Sequence, residues 1–345
     1  MNYRCYLDYN ATTPINGNAR KAMIEAMDLF GNPSSVHLEG RKSRSLLEKS
    51  RSQILAALDA EEYDIIFTSS ATEAAALGLA KANLKCAGIE HEAVSSWCDV
   101  SLKTYPCGRV KVTNPREVAL QLANSETGVL QSPPDKVKFC DVTQAFGKIP
   151  LHLDEIKPDM AIVSSHKIGG PKGVGALIVR KGIEIEPQIR GGGQEKGRRS
   201  GTENIIGIAG FGAAAETAII EQKDGKWERT RELRDFMECF IKDADHSLIF
   251  AGRESDRLPN TSCLVTSGWR GEMQVIQMDL AGFAVSAGSA CSSGKIKSST
   301  TLKNMGFDDA SCNEAIRISL SPYTQREEIQ KFSETWLRKR KKCQC

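Results

Sequence analysis

The stretch that decides the fold is Pro158-Asp159-Met160-Ala161-Ile162-Val163-Ser164-Ser165-His166-Lys167-Ile168-Gly169-Gly170-Pro171-Lys172-Gly173-Val174-Gly175. From Met160 to Val163 it is a continuous apolar run, the pattern of a strand buried on both faces of a parallel sheet. The run ends in Ser-Ser-His-Lys, and a glycine-rich turn follows. In open α/β sheets ligands sit beyond the carboxyl ends of strands, so Lys167 is predicted to project into a site. A partly desolvated lysine there is poised as an amine nucleophile or Schiff-base partner. A surface lysine that merely follows a strand has the same local sequence.

Working outward, further apolar, β-branched runs predict strands over 64–69, 109–113, 119–123, 137–142 and 175–179. Helical periodicity between them covers 19–29, 42–58, 72–82 and 202–222. Strand and helix in alternation predict an α/β domain built on a mostly parallel sheet flanked by helices. After about residue 222 the texture changes. Helices over 226–244, 271–280 and 325–341 and strands over 247–250, 261–266 and 314–320 predict a smaller α+β domain. No low-complexity linker or internal repeat separates the two. The expected division is a large domain over 15–221 and a small one made of 1–14 and 222–345.

Composition bounds the function. At 345 residues the chain is long enough for roughly two domains of about 150 residues. Forty-six Lys and Arg against 43 Asp and Glu leave a net charge of +3, without the basic footprint of a dedicated nucleic-acid binder. No apolar run reaches the roughly 18 residues of a membrane span, and the first residues lack a secretory h-region, so a cytoplasmic protein is expected. Eleven cysteines are scattered with no CxxC pair, which argues against both a metal site and a disulfide framework.

Two more segments carry chemistry. In Phe67-Thr68-Ser69-Ser70-Ala71-Thr72-Glu73 a strand breaks into a helix through small hydroxyl residues. Free N–H groups at such a helix start favour an anion, and an ordinary Ser/Thr N-cap uses the same residues. In Cys140-Asp141-Val142-Thr143-Gln144 an acid ends a buried strand, where it needs a cationic partner. A pyridinium nitrogen is one such partner. Helix capping is the plainer role.

These pieces, with Tyr6-Leu7-Asp8-Tyr9-Asn10-Ala11-Thr12-Thr13-Pro14 and the glycine-rich run 190–204, resemble the class V aminotransferase superfamily. Within it the chain is similar to the cysteine desulfurases of the NifS/IscS type, over nearly its whole length. The resemblance implies a fold-type I enzyme that uses pyridoxal 5'-phosphate and works as a homodimer. Lys167 matches the lysine that links covalently to the cofactor. Ala71, Thr72, Ser164 and His166 would hold the phosphate and its surroundings. Asp141 would pair with the pyridine nitrogen and Gln144 with the ring hydroxyl. His91 matches the histidine that stacks on the ring and assists proton transfer. Thr202 would reach the partner subunit's phosphate. Arg317 matches the arginine that binds the substrate carboxylate, a role suited to a planar guanidinium; an interdomain salt bridge is its other reading. Asn124 falls in the substrate-contacting Asn-Asn-Glu motif.

Ala287-Gly288-Ser289-Ala290-Cys291-Ser292-Ser293-Gly294-Lys295 separates this group from its relatives. Small residues surround one cysteine, and a long loop of this type is similar to that of the NifS/IscS group. Cys291 would take sulfur from L-cysteine as a persulfide, release L-alanine and pass the sulfur to an acceptor protein, an iron–sulfur scaffold or a tRNA-thiolation enzyme. The glycines are one residue too far apart for a phosphate loop, and Ile296 stands where that motif needs Ser or Thr. A selenocysteine lyase, another class V reaction and an inactive partner protein are the rival readings. Three departures bear on them. Ser125 replaces the second Asn of the Asn-Asn-Glu motif, the stretch from His91 to Asn124 is short, and the chain stops at Cys343 and Cys345 soon after its last helix. Those two thiols are expected to be a frayed tail rather than a sulfur relay.

Overall fold

Ser164 closes the third of five strands in a large sheet. The structure is a computed structural model that describes residues 4–290 and 296–344. Strand β1 (Cys5–Tyr6) leads to helices α1 (Gly17–Met27) and α2 (Leu38–Ala57). There follow β2 (Tyr63–Thr68), α3 (Ala71–Leu79), β3 (Lys85–Ala87), α4 (Glu92–Ser95), β4 (Asp99–Leu102) and β5 (Ala119–Gln121). Next come β6 (Phe139–Asp141), α5 (Leu153–Ile156), β7 (Met160–Ser164) and β8 (Gly175–Arg180). The large sheet has the order β2-β8-β7-β6-β5. Strands β5, β6 and β7 pair in parallel, whereas β8 runs against both β7 and β2. The reversal has a local cause: no crossover helix fits in the short link from Ser164 to Gly175, and without one the chain returns antiparallel.

Alternate residues of these strands enter different cores. Ile65, Cys140, Ala161, Val163 and Ile178 pack with Leu47 and Ile54 of α2 on one face. Ile66, Phe139, Met160, Ile162 and Leu177 pack with Ala74, Ala75 and Leu77 of α3 on the other. Each such large side chain contributes on the order of 1.5–3 kcal/mol by leaving water. Helix α6 (Ile205–Lys223) shares the first core through Ile208, Phe211 and Ala215. It is long and apolar enough to cross a membrane, yet half of it is buried and it packs against α1 and α2.

A second, four-stranded sheet lies beyond α7 (Lys226–Ala244). Its strands are β9 (Ile249–Phe250), β10 (Thr261–Val265), β12 (Ser286–Ala287) and β15 (Ala315–Ser319), in the antiparallel order β12-β15-β10-β9. Helices α8 (Gly271–Leu280) and α11 (Arg326–Gln344) join α7 around a core of Met237, Leu264, Ile316, Phe332 and Trp336. Strand β1 pairs in parallel with β11 (Phe283–Ala284), and Asp8 bridges Ser319. The two-residue strands β13 (Ser289–Ala290) and β14 (Ile296–Lys297) pair with each other, and α9 (Thr300–Asn304) and α10 (Asp309–Asn313) precede β15.

The expected strand over 109–113 does not form. Val110 makes a lone bridge to Thr104, and its N–H donates to Gln131 Oε1 at 2.9 Å instead of to a neighbouring strand. Strands β3 and β4 were not expected; they pair in parallel, and Lys85 bridges Val118.

Register decides where the chemistry collects. Thr68 and Ser164 both lie opposite Gly175, Asp141 lies opposite Ile162, and Gln121 opposite Asp141. The carboxyl ends of β2, β7, β6 and β5 therefore share one edge of the sheet. This is where open α/β sheets bind ligands.

Candidate active site

At this edge β2 ends and Ser70 caps α3, its hydroxyl accepting from the Glu73 N–H at 3.2 Å. Glu73 accepts from the Ser69 N–H at 2.8 Å and from Arg199 Nε at 2.8 Å. The ion pair ties the loop bearing Thr202, which is exposed, to the start of α3 with Ala71 and Thr72. Gly175 is required here: a Cβ would lie 2.4 Å from the Ser70 carbonyl carbon and 2.6 Å from the Ala71 nitrogen.

Lys167 follows buried Ser164 in a 3₁₀ turn, Ser165–Lys167. Its Nζ donates to the carbonyl oxygens of Asn10 at 2.7 Å and Ala11 at 2.8 Å. Burial, aided by the Arg317 cation and opposed by Asp8 and Asp141, lowers its pKa to about 8. An appreciable share of neutral, nucleophilic amine is therefore present near pH 7. His166 Nδ1 lies 3.1 Å from Thr12 Oγ1, and burial beside Lys167 and Lys172 lowers its pKa to about 4, so it is neutral.

From β6, Asp141 Oδ1 accepts from the Thr143 N–H at 2.9 Å. Gln144 is buried; its Nε2 donates to the Asn10 carbonyl at 3.0 Å and its Oε1 accepts from Lys148 Nζ at 2.7 Å. His91 is exposed and caps α4, with Nδ1 accepting from the Ala93 N–H at 3.1 Å. Glu90 and Ile89 fasten its turn to β5: Glu90 Oε1 accepts from the Gln121 N–H, and the Ile89 carbonyl from Gln121 Nε2, both at 2.8 Å. Burial, with Asp141 nearby, holds the Glu90 carboxyl well above its ordinary range.

Arg317, on β15, is buried and donates to Asp8 Oδ1 at 2.7 Å and to the Ser125 carbonyl at 3.1 Å. It thus makes an internal ion pair while its Nε, also buried, has no partner among the described residues. Asn124 is committed to its own turn: Oδ1 accepts from the N–H groups of Glu126 and Thr127, and Nδ2 donates to the Ile89 carbonyl. Ser125 touches Arg317 and Asn10 through its backbone oxygen, so these contacts do not depend on its side chain. Cys291 and Cys345 lie outside the described residues. The segment entering Cys291 starts beside the site, because Ser286 of β12 lies opposite Arg317.

The sequence analysis overlooked Asp8, Asn10 and Lys148. Asn10 is the hub. Its carbonyl receives Lys167 and Gln144, its Oδ1 receives Lys148 and Asn260, and its Nδ2 reaches Ser125 and Thr261. For Asp8 and Asn10 the signal was the polar, non-helical run 8–13, read as a motif without roles for its members; Lys148 carried none.

The donor set fits pyridoxal phosphate. Among the described residues, a half-buried amine is held by backbone carbonyls alone, a buried guanidinium nitrogen is unpartnered, a helix start presents N–H groups, and an acid ends the adjoining strand. A cavity of about 30 Å³ beside Lys167, lined also by Lys148, Glu221 and Tyr323 among others, is the size of a water.

The aminotransferase class-V family model matches residues 5–96 and 109–332, and the chain belongs to that family. It is 36% identical over 369 residues to "Cysteine desulfurase IscS" of Dictyoglomus turgidum, covering 95% of this chain and 92% of that one. It is 38% identical over 368 residues to "Cysteine desulfurase" of Cereibacter sphaeroides, covering 96% and 94%. Among solved structures it is similar to a NifS-like protein from Rickettsia africae, with a TM-score of 0.86 and 32% identity over 96% of this chain and 98% of that one.

Proposed function

We propose that the protein is a pyridoxal-phosphate-dependent cysteine desulfurase. The observation that carries this reading is the Lys167 amine at the sheet edge, hydrogen-bonded to two backbone carbonyls and with its pKa lowered to about 8, beside a guanidinium that has a nitrogen to spare. When bound, pyridoxal phosphate supplies the electron sink for bond changes at the substrate's α- and β-carbons.

The residues divide the remaining work. Ala71, Thr72, Ser164 and His166 surround the phosphate, with Thr202 reaching across to a second copy in a homodimer. Asp141 would pair with the ring nitrogen and Gln144 with the ring oxygen. Arg317 receives the carboxylate of L-cysteine, with Asn124 holding the neighbouring turn. Lys167 would hold the cofactor, and its amine would move protons at the substrate α-carbon. His91, whose Nδ1 is occupied as a cap, has Nε2 left for proton transfer. The Cys291 thiol takes the sulfur: L-cysteine and a thiol become L-alanine and a persulfide, so atoms and electrons balance without an added oxidant. The sulfur then passes to an acceptor protein, an iron–sulfur scaffold or a tRNA-thiolation enzyme, in the cytoplasm. The chain divides functionally into 15–221, which holds the cofactor, and 1–14 with 222–345, which brings Arg317 and Cys291 to it.

Incubation of the purified, cofactor-loaded protein with L-cysteine tests the reading. With a thiol reductant present to release the persulfide sulfur, it should yield L-alanine and sulfide in equal amounts. Cys291→Ser should keep the cofactor's visible band and form no persulfide by mass spectrometry; persulfide on another cysteine with full activity would overturn the role of Cys291.

A further inference from the structure

Lys148 is among the most deeply buried side chains of the protein, and the chemistry above gives it no role. Its Nζ donates to Asn10 Oδ1 at 2.8 Å and to Gln144 Oε1 at 2.7 Å. The groups that perturb it include no acid. Burial, with the cations of Lys167 and Arg317, pushes its pKa well below the ordinary lysine value. A neutral amine has two N–H donors, which match its two acceptors.

Both acceptors belong to residues that face Lys167. The Asn10 carbonyl can only accept, and it receives Lys167 Nζ and Gln144 Nε2. Gln144 is therefore gripped from two sides, its NH₂ by the Asn10 carbonyl and its oxygen by Lys148. With its oxygen turned to Lys148, its remaining N–H is the group it turns to a ligand. An amide free to turn would offer its carbonyl as readily, and a carbonyl repels an anionic ring oxygen.

We propose that Lys148 is a positioning residue that locks Gln144 with its N–H toward the cofactor's ring oxygen and steadies the Asn10 carbonyl that receives Lys167. This rests on the proposed pyridoxal-phosphate site and deepens it. Replacing Lys148 by Met, close in volume, leaves Gln144 Oε1 buried without a donor, so the amide swings away or turns.

The readout is the pH titration of the visible cofactor band in the holoenzyme. An N–H donor stabilises the anionic ring oxygen, so losing it should raise the titration midpoint, by about 0.5 pH unit or more. Lys148→Met should show this rise in the otherwise native protein and no further rise when added to Gln144→Leu. A midpoint unchanged by Lys148→Met, or an equal rise in both backgrounds, would overturn the proposal. A merely structural lysine would lower Tm and leave the midpoint in place. Should the Met variant not fold, Lys148→Gln keeps one N–H for Gln144 Oε1 and should give a smaller rise; no rise would count against the proposal. A native protein that acquires no visible band with pyridoxal phosphate would refute the cofactor reading itself, a result distinct from a band that Lys148→Met leaves untouched.

Discussion

Two buried clusters of charge in this molecule are built on opposite plans. Against the second sheet Glu238 of α7 is met by both ends of the Arg257 guanidinium, at 2.8 and 2.9 Å, and by the Ser262 hydroxyl of β10 at 2.7 Å. Donors and acceptors balance inside the protein. At the edge of the large sheet Lys148, Lys167 and Arg317 converge, with Asp8 and Asp141 as the nearby acids. Two of these three basic groups take backbone or amide oxygens in place of carboxylates, and the third keeps a nitrogen without a partner among the described residues. A closed cluster stabilises the fold. An open one is completed by anions from outside, and a phosphate and a carboxylate are the anions the proposed reaction supplies.

The largest effect should come from the open cluster. Lys167→Ala should lower kcat by about 10³-fold or more and abolish borohydride-fixed cofactor. Reducible attachment at another lysine would contradict the assignment.

Next, the two guanidiniums should fail in different ways. Arg257→Gln leaves buried Glu238 with only the more distant Arg253, at 3.7 Å, and the Ser262 hydroxyl, and should cost about 3 kcal/mol in denaturant unfolding, with KM for L-cysteine unchanged in whatever remains folded. Arg317→Gln should raise KM by about 10²-fold, because a desolvated charge pair to the substrate is lost. If both acted mainly on stability, the distinction between closed and open clusters would collapse.

pH separates the plans more gently. The folded pKa of Lys167 is depressed to about 8 from 10.5, so within that window the unfolded chain binds a proton that the folded one has shed. Stability of the cofactor-free protein should therefore rise with pH between those values, relative to Lys167→Met, and the gain should be absent below about 8. A flat difference in urea midpoints across the window would refute the depressed lysine. The smallest effect is expected at Ser125. Ser125→Asn should change stability by less than about 0.5 kcal/mol, since the backbone makes the contacts seen there. A large change in kcat/KM would show that the side chain reaches the substrate.

Much of this was legible along the chain, and the reasons are local. Strand β7 and its Lys167 turn stand out because a continuous apolar run ends abruptly in small polar residues and glycine. Helices α7 and α8 form over the residues that their periodicity marks. The segment 109–113 reads like a strand because Val110 and Val112 alternate with charged residues. Its hydrogen bonds nevertheless go to a side-chain amide and an irregular neighbour, which no local pattern reveals. The antiparallel β8 escaped notice because a strand's direction is not written in its composition.

By itself, then, the sequence determined the alternation of elements, the two-faced burial of the central strands and the residue types at their carboxyl ends, because each follows from neighbours a few positions apart. Only the tertiary structure decided that Arg317 already holds Asp8, that Asn124 is spent on its own turn, and that Asn10 joins Lys148, Lys167, Gln144 and Thr261. Apart from the Asn124 turn, those contacts span from more than a hundred to about three hundred positions of chain. A residue's charge and hydrogen-bonding capacity are printed in the sequence, but which partner uses them depends on distances that only the packed chain sets.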